Sequence, residues 1–322
     1  MGERIGLSAL RRIGGVLVVA VLLAACGVAT PGTVTVVPGT STGAGPTASG
    51  AKIQVVAAEN FWGSIAAQLG GDRVQVTSLI VNPNADPHSY EPTPADARRV
   101  ADARFVLYNG AGYDPWVQKL LSANPVAGRT ALNVGDLVGK QPGDNPHLWY
   151  NPEFVAQAID RITADYQALD PADAAYFAQL KSQYTTTGLK EYHDLIATIQ
   201  QRYAGTPIGS TESIFVYMAS ALKLDLTTPP GYMKAVSEGT DIAAADRAAF
   251  DRQVTQKQIK VLVFNRQNAM PDTNAIKSEA EAAGIPVVNI TETLDPATDT
   301  FQAWQVSQLQ ALQQALAKST GK

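Results

Sequence analysis

Two of the three histidines in this chain directly follow a proline and stand two residues before an aromatic ring: Asp86-Pro87-His88-Ser89-Tyr90 and Asn145-Pro146-His147-Leu148-Trp149. Neutral imidazole is a good ligand for divalent metals of the borderline class, and carboxylate oxygen is a compatible second donor. Carboxylates occur at two points in the other half of the chain. Glu212 lies in Gly-Ser-Thr-Glu-Ser, and Glu292 and Asp295 lie in Ile-Thr-Glu-Thr-Leu-Asp. Two imidazoles from the first half and two carboxylates from the second make a four-donor set suited to one divalent transition metal. Glu292 and Asp295 are alternatives for the fourth place.

Other polar residues near these phrases have plainer readings. Asp86 and Glu91 read as turn and loop formers, His193 falls within a helical pattern, and Tyr90, Trp62 and Trp149 read as packing residues. Glu212 could equally support the dipole of the helix that follows it. A zinc hydrolase using His88, His147 and a general base at Glu91 or Glu212 is the rival chemistry. It lacks H-E-x-x-H, and a fourth carboxylate would close the coordination place that catalytic zinc keeps open for water. A site for a metal chelate would call for an aromatic or Arg-lined cleft instead.

The elements that must position these groups are legible as alternating periods. Apolar, β-branched runs at 52–60, 73–81, 104–110, 206–211, 260–265 and 285–291 read as strands, and helical patterns separate them. Strand–helix alternation predicts an α/β fold with mostly parallel sheets. Segment 130–138 reads as strand or loop. Each His phrase sits between a strand region and a capped helix start, Thr93-Pro94-Ala95-Asp96 and Asn151-Pro152. In open α/β sheets, ligand-binding loops lie outside the carboxyl ends of the strands. From Asp170 to Ala204 the helical pattern is broken internally only by Gly188. A helix of that length spans about 50 Å at about 1.5 Å per residue, long enough to bridge two lobes.

The 322-residue chain is 45% hydrophobic with a net charge of -4, enough apolar content for a large core. No cluster of Lys and Arg suggests a nucleic-acid partner. Its beginning reads as an export signal: Arg4, Arg11 and Arg12, then an apolar run, then Leu23-Ala24-Ala25-Cys26. That tetrapeptide resembles a bacterial lipobox, which implies cleavage before Cys26 and lipidation of its thiol. Residues 27–50 are rich in Gly, Thr, Pro and Ser and read as a flexible tether.

The phrases "NPNADPHSYEPTPAD", "YNGAGYDPWVQKLL", "NPHLWYNP", "STESIFVYMASAL" and "SEGTDIAAAD" closely resemble the zinc- and manganese-specific substrate-binding lipoproteins of ABC importers. The likeness runs over residues 52 to 318, and Asp-Pro-His-x-Tyr-Glu-Pro-Thr-Pro is its most specific part. It implies two Rossmann-like lobes joined by one long rigid helix: an N-terminal lobe at 51–169, the linking helix at 170–204 and a C-terminal lobe at 205–322. It implies one Zn or Mn ion between the lobes as transported ligand, and a monomer that delivers it to an ABC permease from a lipid anchor on the outer face of the bacterial cytoplasmic membrane. Ligands carry over to His88, His147 and Glu212. The fourth is usually an Asp, and here "TETLDP" departs from that pattern. Glu292 follows the last strand sooner than Asp295, as a loop ligand should. No histidine lies between His88 and His147, whereas many zinc-specific relatives carry a His-rich loop there. Two His with two carboxylates resembles the manganese-type set, although zinc binds such donors more tightly.

Overall fold

The strand-forming runs pair into two separate parallel sheets of four strands. The computed structural model describes residues 51–84 and 87–322. Cys26, the export signal, the tether and Asp86 therefore lie outside the described residues.

In the first lobe the chain runs β1 (Ile53–Glu59), α1 (Asn60–Gly70), β2 (Val74–Ile80), α2 (Pro94–Asp102), β3 (Phe105–Tyr108), α3 (Pro115–Ala123), β4 (Thr130–Asn133), α4 (Val134–Leu137) and α5 (Pro152–Leu169). Its strand order is β2-β1-β3-β4, with Ile53 opposite Val74 and Val55 opposite Phe105. After a helical stretch of α6 (Ala174–Gln183) and α7 (Lys190–Tyr203), the second lobe follows. It comprises β5 (Pro207–Ser210), α8 (Val216–Ala221), β6 (Asp225–Leu226), α9 (Pro230–Ser237), α10 (Ala244–Thr255), β7 (Val261–Asn265), α11 (Pro271–Ala282), β8 (Val287–Ile290) and α12 (Phe301–Thr320). Its order, β6-β5-β7-β8, repeats that of the first sheet. In each sheet the chain first steps to one side of its starting strand and then crosses to the other, which makes a crevice outside the carboxyl ends of the strands.

Local chemistry accounts for the elements next to the candidate donors. Thr93 and Asp96 form a reciprocal capping box: the Thr93 hydroxyl accepts from the Asp96 N–H, and the Asp96 carboxylate accepts from the Thr93 N–H. Asn151 caps α5 by accepting from the N–H groups of Glu153 and Phe154. Segment 130–138 is split between β4 and the short α4, which Asn133 caps.

The stretch expected as one helix, with Gly188 its only internal breaker, is composite. Pro171–Asp173 is a 3-10 turn, and Tyr184–Gly188 is a π segment between α6 and α7. The Thr185 and Thr186 hydroxyls donate to carbonyls one turn back, at Lys181 and Ser182, and so compete with the regular helical ladder. Gly188 at the end of the segment adds backbone freedom.

A single apolar cluster runs through both lobes. Phe61 stacks on Trp149 with ring centroids 4.0 Å apart, and Tyr150 meets Phe215 and Trp304 edge-on. Polar contacts cross the same seam. The Tyr150 hydroxyl donates to the carbonyl of Thr291, Leu294 N–H to Asn60 Oδ1, and Phe301 N–H to Ser64 Oγ. Burial of rings such as Trp149 and Trp304 is worth about 3–5 kcal/mol each when tested by truncation to alanine.

Candidate metal centre

Each lobe presents two donors from loops at the carboxyl ends of its strands. His88 sits in a 3-10 turn, Pro87–Ser89, between β2 and α2. Tyr90 anchors that turn: its hydroxyl donates to Asp96, and its ring lies 5.1 Å from that of Trp116. His147 ends the loop from α4 and begins the turn Leu148–Tyr150 before α5. Glu212 follows β5, and Glu292 follows β8. One donor atom from each of the four lies within 4.8 Å of all the others.

The cross-lobe spacings are short. His88 Nε2 is 3.3 Å from Glu292 Oε2 and 3.9 Å from Glu212 Oε1; His147 Nε2 is 3.4 Å from Glu212 Oε1 and 3.9 Å from Glu292 Oε2. Donors at the corners of a tetrahedron around a metal, bonded at about 2.0–2.1 Å, stand about 3.3 Å apart. His147, Glu212 and Glu292 are fully buried, and only His88 retains exposure, 22% of its side chain. The His147 Nε2 and Glu212 Oε1 atoms have no hydrogen-bond partner among the described residues. Buried polar atoms left in that state are costly, so their convergence calls for a bound group.

A second layer of residues sets how these donors point. Asn145 Nδ2 donates to the carbonyl of Ser213, which leaves Asn145 Oδ1 as an acceptor 2.8 Å from His147 Nδ1. The proton of neutral His147 is thereby held on Nδ1, and the lone pair on Nε2 faces the cluster. Tyr113 donates its hydroxyl to Glu292 Oε2 at 2.7 Å and lies edge-on to the His88 ring. Asn265 Nδ2 donates to Glu212 Oε2 at 2.5 Å and to Glu292 Oε1 at 2.8 Å. Gln267 Oε1 accepts from the N–H groups of Glu292 and Thr293 and fixes the loop that carries Glu292. Burial by itself would raise the Glu292 carboxyl, but the two histidines and Tyr113 outweigh it and hold the group down at about 2. Burial and then the Glu292 charge push the Tyr113 phenol well up, so it stays a donor.

The loop that carries Tyr113 turns through Gly110, at φ +73°, where a Cβ would stand 1.7 Å from Asn133 Oδ1. Asn109 ties this loop to the other His phrase by donating to the carbonyl of Pro146. Beneath it, Asp114 accepts from the N–H groups of Asn109 and Gly110, and its neighbour is the buried carboxyl of Glu59 at the end of β1. Burial raises both acids, Asp114 to about 6 and Glu59 well above the ordinary range. Burial and the proximity of the two carboxyls both favour their protonated forms.

Of the sequence-predicted residues, His88, His147, Glu212 and Glu292 converge. Asp295 does not join them: it is part-exposed and paired with Arg266. His193 is exposed on α7, and Glu91 is exposed beyond the His88 turn. Tyr113, Asn145 and Asn265 were not singled out from the sequence. Asn265 carried a usable signal, as a lone amide closing the apolar run Val261-Leu262-Val263-Phe264. Outside the cluster a cleft of about 740 Å³ opens past His88 and Tyr113, with Asn145, Ser213, Met233 and Lys234 on its walls.

Comparison with known proteins agrees with this architecture. The manganese ABC transporter substrate-binding lipoprotein PsaA of Streptococcus pneumoniae is 25% identical over 312 residues, spanning 86% of this chain and 88% of PsaA. The iron-binding protein YfeA of Yersinia pestis is 28% identical over 187 residues, 54% of this chain and 58% of YfeA. Among solved structures, a Mn-bound periplasmic metal binding protein from Candidatus Liberibacter asiaticus superposes with a TM-score of 0.67 at 20% identity, covering 81% of this chain and 98% of that one. The periplasmic zinc binding protein TroA of Treponema pallidum gives a TM-score of 0.67 at 16% identity, covering 83% and 99%. These structural likenesses establish the two-lobed α/β fold. Residues 55–315 match a family of substrate-binding transport proteins, and on that match the chain belongs to the family of the zinc-uptake complex component A, periplasmic.

Proposed function

We propose that the protein captures one divalent transition-metal ion, zinc or manganese, outside the cytoplasmic membrane and delivers it to an ABC permease. The observation that carries this reading is the meeting of His88, His147, Glu212 and Glu292, one donor atom of each within 4.8 Å of all the others. The relatives' names, manganese-, zinc- and iron-binding, support the ligand class. The reading is one of capture, not catalysis, because four protein donors leave no open place for an activated water.

Three further parts belong to the same proposal. The protein acts as a monomer, and it is tethered through a lipid on Cys26, with residues 27–50 as the leash. No described helix is long and apolar enough to cross a membrane, and a lipid anchor needs none. Residues 51–169 and 205–322 serve as two lobes braced by segment 170–204. The filled seam favours small shifts of the ligand loops over wide opening, and the exposed edge of His88 on the cleft is the route for entry and release.

Calorimetric titration of chelator-treated protein tests the reading. Zinc and manganese should each bind at one ion per chain. Imidazole must be neutral to ligate, so affinity should fall at least about tenfold from pH 7 to pH 5. Glu292 stays ionised far below that range and is not the group that responds. No binding of either ion at pH 7 would end the proposal.

A further inference from the structure

The carboxylates of Glu212 and Glu292 each have two oxygens, yet only one of each faces the histidines. Glu212 Oε1 and Glu292 Oε2 stand 3.3–3.9 Å from the imidazole nitrogens. The other two oxygens, Glu212 Oε2 and Glu292 Oε1, are both bonded to the same group, the Asn265 amide nitrogen. That amide is itself fixed. Its Oδ1 accepts from the N–H of Gln267 at 3.0 Å, and its backbone N–H donates to Thr211 Oγ1. A backbone N–H can only donate and an ionised carboxylate can only accept, so the orientation of the amide has one solution.

From this geometry we infer that Asn265 determines metal specificity by holding both glutamates to one donor oxygen each. The inference rests on the metal-capture reading above. For either carboxylate to chelate an ion through both oxygens, it must turn so that the oxygen bonded to Asn265 also offers the ion a lone pair, which lengthens or breaks the N–H bond. Asn265 is 1% exposed, so the weakened N–H has no solvent to turn to, a loss worth about fivefold or more in affinity. Zinc is content with four donors in a tetrahedron. Manganese favours higher coordination by oxygen, for which bidentate carboxylates are the nearest source in a buried site. Asn265 therefore penalises manganese more than zinc. It is a positioning residue, acting through Glu212 and Glu292 and not as a ligand.

Competition with a chelator of known affinity, for Zn(II) and Mn(II) separately, measures the ratio of the two dissociation constants in the wild-type chain, in Asn265→Ala and in Asn265→Ser. The alanine variant frees both carboxylates. The preference for zinc over manganese should fall about fivefold or more, as loss of one such penalty requires. X-ray absorption at the manganese edge should show more first-neighbour oxygens than in the wild type. The serine variant keeps one short donor and should fall between, and it decides the matter if the alanine variant does not fold. A general structural role would weaken both metals alike and leave the ratio where it was. A ratio within twofold of wild type, with unchanged manganese coordination, overturns the inference while metal capture stands. A wild-type chain that binds neither metal overturns the capture reading itself.

Discussion

His147→Ala should weaken zinc binding about a hundredfold or more. Four-ligand zinc sites yield about 10–16 kcal/mol of binding free energy, or about 2.5–4 kcal/mol per ligand. His147 has no substitute nearby, because the other described histidines are His88, already in the cluster, and His193, exposed on α7. The substitution also strips Asn145 of its imidazole partner and leaves Glu212 Oε1 facing an apolar methyl group. Loss of binding must be separated from loss of fold, so thermal unfolding of the chelated variant is the control. Zinc affinity within tenfold of wild type in a folded variant would remove His147 from the site.

Glu59→Gln should make the metal-free protein more stable at neutral pH and flatten its pH dependence. Burial, reinforced by the charge of Asp114, raises the Glu59 carboxyl well above its ordinary value near 4.5. The sign follows from the protons bound. Above that ordinary value the unfolded chain has lost the proton while the folded chain still holds it. Stability is thus full below about pH 4.5 and declines as pH rises towards the folded value, by up to about 1.4 kcal/mol per pH unit. Glutamine keeps the shape and can donate an N–H to Asp114 at every pH. Urea unfolding of both proteins from pH 5 to 8 should give a falling difference curve, with glutamine ahead at pH 8. Parallel curves would mean that Glu59 ionises in the folded protein much as it does in the unfolded chain.

How far the sequence revealed this structure differs between its layers. The strands were legible because β1, β3 and β7 are nearly unbroken apolar runs, as strands covered on both faces must be. The helix starts after His88 and His147 were legible because Thr93-x-x-Asp96 and Asn151-Pro152 carry their own capping chemistry. Two elements were passed over. β6 is two residues long, too short for any period, and α9 starts with Pro230-Gly231, which reads as a turn. The π segment at Tyr184–Gly188 escaped because the Thr185 and Thr186 hydroxyl bonds leave the apolar period intact.

The site was readable at the level of residue type and less so at the level of partners. Loop histidines beside proline, and acids placed just after strands, stand out in one dimension. Glu292 and Asp295 are three positions apart, and only the pairing of Asp295 with Arg266 in three dimensions separates them. Tyr113, Asn145 and Asn265 act through bonds to residues 179, 2 and 53 positions away. Two of those three spans lie far beyond any local pattern. The acid pair of Glu59 and Asp114 was hidden for the same reason: each looks ordinary in its own segment, and only the fold makes them neighbours.

Anomalous diffraction at the zinc edge, from crystals of the full chain loaded with one equivalent of zinc, bears most directly on the central claim. The account predicts one strong peak, about 2.0–2.1 Å from His88 Nε2, His147 Nε2, one oxygen of Glu212 and one of Glu292. A peak elsewhere, or one that only some of these four side chains reach, would contradict it.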